Sequence, residues 1–139
     1  MKQHAFPHHQ RVTRQRTIIL EELRKVSTHP TADEVYTMVR QRLPRVSLGT
    51  IYRNLELLAE QGVILKIESA GNSKRFDANV RPHQHIRCQK CGRMADITPP
   101  VPIPDMRHII LPGFAITAAR LELDGLCDAC RMPPTCNTL

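Results

Sequence analysis

The sequence predicts an α+β protein of two small modules: a basic helical module closed by a β-hairpin, and a strand-rich α/β module held by cysteines. Three observations point there. Lysine and arginine lean toward the N-terminal part of the 139 residues, whereas all five cysteines lie in the second half. Two segments with apolar residues at helical spacing are joined by the short Pro44-Arg45-Val46 turn and followed by a β-branched run. Two Cys-x-x-Cys pairs, Cys88/Cys91 and Cys127/Cys130, bracket the remaining strands. The expected boundaries are 1–78 for the first module and 83–139 for the second. Modules of this size have thin cores and need a further source of stability.

In the first module a helix is expected from near Thr13, with Ile19, Leu23 and Val26 on one face. Ser27-Thr28-His29-Pro30 breaks it. Thr31 and Glu34 then have the spacing of a capping box. Val35, Met38, Val39 and Leu43 continue that helix until Pro44. Ser47 caps a third helix that runs to Gln61 and stops at Gly62, with Leu48, Ile51, Leu55 and Leu58 on its apolar face. Val63–Ile67 reads as a strand, Ala70-Gly71-Asn72-Ser73 as a turn, and Lys74–Asp77 as the returning strand. A helix-turn-helix followed by a hairpin is a winged helix.

The opposite face of the third helix carries Gly49, Tyr52, Arg53 and Glu56. A reading helix offers its N-terminal end to the major groove, and Arg53 has the fork that bonds guanine O6 and N7. The candidate DNA contacts are Arg14, Gly49, Thr50, Tyr52, Arg53 and Lys74. Lys66, Arg75, Arg11 and Arg16 are further phosphate contacts. The alternative is a solvated helix in a small bundle.

In the second module His83–Cys88 and Arg93–Ile97 read as strands flanking a Cys-x-x-Cys turn. A proline-dense stretch, Pro99 to Pro104, leaves room for a short helix over Asp105–Leu111. Phe114–Leu123 reads as a long strand with a bulge between Ala118 and Leu121. Cys88, Cys91, Cys127 and Cys130 have the spacing of a closed structural zinc site made of four thiolates; two disulfides or a redox pair are the alternative. Cys136, in a loose tail, is expected to be an ordinary thiol.

A second cluster follows from strand geometry. His83 and His85 are two apart and share a face. The knuckle turn sets His85 opposite Asp96, and Asp77 lies a few residues upstream. Such nitrogen and oxygen donors suit Fe2+, Mn2+, Co2+ or Zn2+; a histidine pair near a salt-bridged aspartate is the bland reading. His4, His8, His9 and His108 lack such geometry.

The formal charge of +7 favours a polyanionic partner. No run of 18 apolar residues suggests a membrane span, and Met1–Arg11 lacks the apolar stretch of a signal peptide. A cytoplasmic location is expected, where paired cysteines go to metal. No nucleophile–base pair or phosphate loop points to an enzyme. A zinc-ribbon RNA-binding protein is the reading from a different class.

Taken together, several segments resemble the ferric uptake regulator (Fur) family: residues 11–16 (Arg-Val-Thr-Arg-Gln-Arg), 29–36 (His-Pro-Thr-Ala-Asp-Glu-Val-Tyr), 47–55 (Ser-Leu-Gly-Thr-Ile-Tyr-Arg-Asn-Leu), 75–77 (Arg-Phe-Asp) and 83–92 (His-Gln-His-Ile-Arg-Cys-Gln-Lys-Cys-Gly). The resemblance implies a winged helix joined to an α/β dimerisation domain, and metal-dependent repression by a homodimer at a double-stranded DNA operator. The peroxide-responsive PerR branch is the most similar. It implies a regulatory Fe2+ or Mn2+ held by His29, Asp77, His83, His85 and Asp96, beside the structural Zn2+. His29 enters only through the resemblance. Iron-sensing members usually carry glutamate where this chain has Asp96. A further site of theirs falls here on Pro82, Gln84 and Ala118 or Ala119, which are poor ligands. The expected signal is peroxide, acting through the iron site and not the cysteines. A plain iron, manganese or zinc uptake regulator is the alternative. The short, proline-flanked helix departs from the family's longer dimerisation helix.

Overall fold

The computed structural model describes residues 8–68 and 73–132, with side chains from Thr13 onward. The expected turn at Ala70-Gly71-Asn72, the side chains of His4, His8, His9 and Arg11, and Cys136 lie outside the described residues. The chain divides into two compact units, residues 1–81 and 82–139.

The first unit is a winged helix. Helix α1 spans His8–Arg24, α2 spans Ala32–Val39 and α3 spans Leu48–Glu60; strands β1 (Leu65–Ile67) and β2 (Arg75–Asp77) pair antiparallel, with Lys66 opposite Phe76. Their apolar stripes close on one core, in which Ile19, Leu23, Val35, Val39, Ile51, Leu55, Ile64 and Phe76 are almost fully buried. The capping box of α2 is complete: the Thr31 hydroxyl accepts from the Glu34 amide at 3.3 Å, and the Thr31 amide donates to the Glu34 carboxylate at 2.8 Å. Ser47 caps α3 through the Thr50 amide at 3.1 Å, and Gly62 follows it with φ 71°, a conformation a side chain would strain.

Three boundaries differ from expectation. Helix α1 begins before Thr13, because nothing between Pro7 and Thr13 breaks a helix, and it ends before Val26. Helix α2 ends at Val39, not at Pro44. A residue preceding proline is pushed out of the α region, so Leu43 and its neighbours unwind into a turn while Leu43 still packs on the core. Strand β1 begins at Leu65, since Val63 and Ile64 bond back to the end of α3 through Leu58 O.

The second unit is a three-stranded sheet of order β4-β3-β5, with β3 at His85–Cys88, β4 at Met94–Asp96 and β5 at Glu122–Gly125, followed by a single turn of helix, α4, at Asp128–Arg131. Strands β3 and β4 pair antiparallel around the first cysteine knuckle, whereas β3 and β5 pair parallel. Gly92 closes the knuckle: φ is 77° and its amide donates to Cys88 O at 2.9 Å.

One expected element is absent and another is reduced to its C-terminal end. Residues 105–111 form no helix, only a turn at Arg107-His108. A helix this short depends on packing for its stability, and all of these residues but Met106 are exposed. Residues 115–121 form no regular strand, and β5 is short. A strand requires a partner, and β3 is long enough to pair only with 122–125.

Candidate metal centres and nucleic-acid interface

The outer face of α3 is set by the burial of its inner one. Ile51, Leu55 and Leu58 are buried, so Gly49, Tyr52 and Arg53 are exposed. Thr50 is half-buried with its hydroxyl 2.9 Å from Ser47 Oγ, and Arg14 is exposed on α1. Arg14, Arg42 and Arg45 line, with Ser47 and Thr50, an open cleft of about 650 Å³ beside the N-terminus of α3. Tyr52 reaches across to Asp33, its hydroxyl donating at 3.4 Å.

Not every expected phosphate contact stands open. Lys66 and Lys74 each bond the Glu56 carboxylate, at 2.9 and 3.3 Å. Arg16 donates to Asn54 Oδ1 at 3.3 Å, and Asn54, buried among the apolar residues of α3, donates to Thr50 O. Arg75 turns inward and donates to the His29 carbonyl at 3.0 Å. These three arrangements escape sequence reading, because a basic residue looks alike whether it faces solvent or a buried acceptor. The one available signal is Asn54 itself, a polar residue within the apolar stripe.

The cysteine cluster is built by the sheet. Parallel pairing sets Cys88 opposite Gly125, and the Gln89 amide bonds Gly125 O at 2.8 Å. The chain then turns so that the Cys127 amide donates to Cys88 Sγ at 3.4 Å. Cys88, Cys91, Cys127 and Cys130 are reduced, and their sulfurs all lie within 4.8 Å of one another. Cys91 Sγ and Cys127 Sγ are 3.7 Å apart. Zn–S bonds in a tetrahedron place sulfurs about 3.8 Å apart, so the cluster fits such an ion. The charges agree. Backbone amides of Cys127, Cys91 and Lys90 bring the Cys88 thiol down to about 5. The hydrogen bond to Cys127, with burial, pushes Cys130 up to about 12. The first sulfur ionises readily and the last resists; a divalent cation supplies the charge that lets all four ionise.

The nitrogen and oxygen donors form a pair in one unit and a trio in the other. In the winged helix His29 and Asp77 are both buried, with His29 Nε2 3.2 Å from Asp77 Oδ2. His29 lies in the left-handed region at φ 54°, unusual for a side-chain-bearing residue. Its neighbours hold it there: Arg75 bonds its carbonyl, and the Phe76 amide bonds Pro30 O at 2.9 Å. In the sheet unit β3 and β4 pair His85 with Asp96, the register expected from the knuckle. His83 precedes β3 rather than lying within it, yet His83 Nε2 and His85 Nε2 are each 3.3 Å from Asp96 Oδ1. Ligand atoms on one first-row metal stand roughly 3.0–3.4 Å apart, so both groups suit such an ion. Gln84 faces elsewhere: its amide pairs with Val101 N and O at 2.7 Å, a structural clamp.

The sequence profile of the ferric uptake regulator family matches residues 8–124. The chain belongs to that family. It is 34% identical to the peroxide-responsive repressor PerR of Staphylococcus epidermidis over 87% of this chain and 81% of that one, and 35% identical to PerR of Staphylococcus aureus over 87% and 82%. Among solved structures it resembles the Campylobacter jejuni peroxide stress regulator, with 34% identity, a TM-score of 0.58, and 65% of this chain and 66% of that chain covered. The Helicobacter pylori ferric uptake regulator shares the fold at 19% identity and a TM-score of 0.67, over 86% and 81%. No helix among the described residues is long and apolar enough to cross a membrane.

Proposed function

We propose that this Fur-family chain is a cytoplasmic, homodimeric, metal-dependent transcriptional repressor that binds an operator duplex and is released by peroxide. The observation that carries the reading is the donor chemistry. His29, ahead of α2, forms a buried pair with Asp77, the last residue of the wing; a His83/His85/Asp96 trio begins the next unit, and in sequence only residues 78–82 separate Asp77 from His83. The five residues act as ligands of one Fe2+ or Mn2+, and the four cysteines hold a separate structural Zn2+. Bound metal ties the reading helix to the dimerising unit, so metal affinity and DNA affinity are linked and reciprocal. Arg53 reads bases, with Tyr52, Gly49, Thr50 and Arg14 beside it; Lys74 reaches phosphate only by leaving Glu56.

Fe2+ in such a site supplies the electron that reduces peroxide, which Mn2+ does not readily do. His29 or His83 would take up one oxygen of H2O2 at a ring carbon while the other leaves as water, so that peroxide is the two-electron oxidant and the iron is regenerated; an oxidised imidazole is a poor ligand. The cysteines are poor targets once their lone pairs are engaged by zinc. The test is a DNA-binding titration with Fe2+ and with Mn2+, each with and without peroxide, followed by peptide mass spectrometry. The expected result is loss of binding in the Fe2+ form alone, with one added oxygen on the peptide holding His29 or His83. Loss of binding with both peptides unmodified and the cysteines oxidised would overturn the peroxide mechanism.

A further inference from the structure

An acid on the DNA-reading face of a helix needs a reason, because duplex DNA carries about one negative charge per 1.7 Å of its axis. Glu56 is such an acid, one turn beyond Tyr52 and Arg53 on α3. Its carboxylate is engaged on both oxygens: Lys66 Nζ lies 2.9 Å from Oε2 and Lys74 Nζ 3.3 Å from Oε1. Glu68, just past β1, adds contacts of 3.6 Å to Lys66 and 3.5 Å to Lys74. Four alternating charges thus join α3 to both sides of the wing hairpin. The hydrogen bond from Lys66 holds the Glu56 carboxyl below its usual range, and Glu56 in turn raises Lys66, so both stay ionised at neutral pH. The side chains are 28–58% exposed. Ion pairs this open to solvent add little to stability and exchange readily. A staple for the fold would be a poor use of them; a clamp that opens suits them well.

We propose that Glu56 is a charge clamp on the wing: it occupies Lys66 and Lys74 in the free protein and so holds down sequence-independent DNA affinity. The inference rests on the DNA-binding reading above. Each lysine that turns to a phosphate must first leave a carboxylate, and that carboxylate then faces the backbone uncompensated. The gain per lysine is therefore small on any duplex. This matters to a metal-dependent repressor because phosphate attraction is blind to metal: a wing with two free lysines would keep the metal-free protein on DNA.

The slope of log K against log salt for a random-sequence duplex counts the phosphates neutralised, and fluorescence anisotropy on the full chain without regulatory metal measures it. For Glu56→Gln the slope becomes steeper by about 1–2, one contact or two, with several-fold tighter binding at low salt. Removing both lysines (Lys66→Gln/Lys74→Gln) lowers the slope less in the otherwise native chain than in Glu56→Gln, where it takes away the contacts that the substitution released. An unchanged slope in Glu56→Gln would overturn the clamp. So would a slope that falls equally on lysine removal with and without Glu56, since the lysines would then already sit on phosphates. Loss of operator affinity alone would make Glu56 a base reader instead, and also overturns it. Failure of the native chain to bind any duplex, with or without Mn2+, refutes the DNA reading itself and is a different result from binding with an unchanged slope.

Discussion

His29 illustrates how a single side chain is held for a task. Its backbone sits at φ 54°, where a non-glycine residue is strained. The strain is offset by Arg75, whose guanidinium bonds the His29 carbonyl and lies 3.8 Å from Glu34, the acid of the capping box. Arg75 is thus placed to position His29, a ligand in the proposed metal site. Arg75→Met is expected to weaken Mn2+ binding by about 10- to 100-fold, the usual effect of losing a group that orients a ligand. Isothermal titration reads the affinity, and circular dichroism verifies that the fold is kept. Native affinity in the variant would show that His29 holds its position unaided. Cys88 makes the complementary case. Three backbone amides favour its thiolate, so it is the sulfur best prepared for a cation. Cys88→Ser is expected to purify without tightly held zinc and to unfold at lower denaturant concentration; native mass spectrometry showing one zinc per chain would contradict the four-thiolate assignment.

At the scale of elements, α3 divides its labour by face. Ile51, Leu55 and Leu58 bury it, Asn54 ties it to Arg16 of α1, and Arg53 is left projecting. The anchoring matters because a base contact is worth something only if the arginine arrives in a fixed place. Arg53→Ala is expected to cost about 1–3 kcal/mol on the operator, the worth of a bidentate base contact, and much less on random duplex. Competition binding with both duplexes measures the difference. Equal losses on the two would mean that Arg53 touches phosphate only.

At the scale of the whole molecule, the two units differ in how they hide apolar surface. The winged helix encloses its own core. In the sheet unit Ile110 is 90% and Phe114 80% exposed, and Ile109, Leu111, Ile116 and Leu126 are open as well. So much apolar surface on one small unit marks an interaction site, and a second copy of the chain is the occupant that the proposed function requires. Phe114→Asp combined with Ile110→Asp is expected to convert dimer to monomer at micromolar concentration in sedimentation velocity, while the zinc content stays native. A variant still dimeric would place the interface elsewhere.

What the sequence determined by itself is whatever local chemistry dictates. The capping box at Thr31 and Glu34, the Ser47 cap and the Gly62 stop follow from hydrogen bonding within a few residues. The His85–Asp96 register follows from the tight knuckle at Cys88–Cys91, since a turn of known length fixes which residues face each other. Tertiary structure decided what depends on distant partners. The parallel pairing of β3 with β5 joins residues far apart in sequence, and no local pattern announces it. The helix expected over 105–111 and the strand expected over 114–123 have apolar spacing, but the helix lacks a surface to pack on and the strand has a neighbour only at 122–123. The fates of Arg16, Lys66, Lys74 and Arg75 were decided in the same way. Each is a cation in the sequence, and only the fold determines whether a carboxylate, a carbonyl or solvent receives its charge, because that depends on which acceptors packing brings within reach.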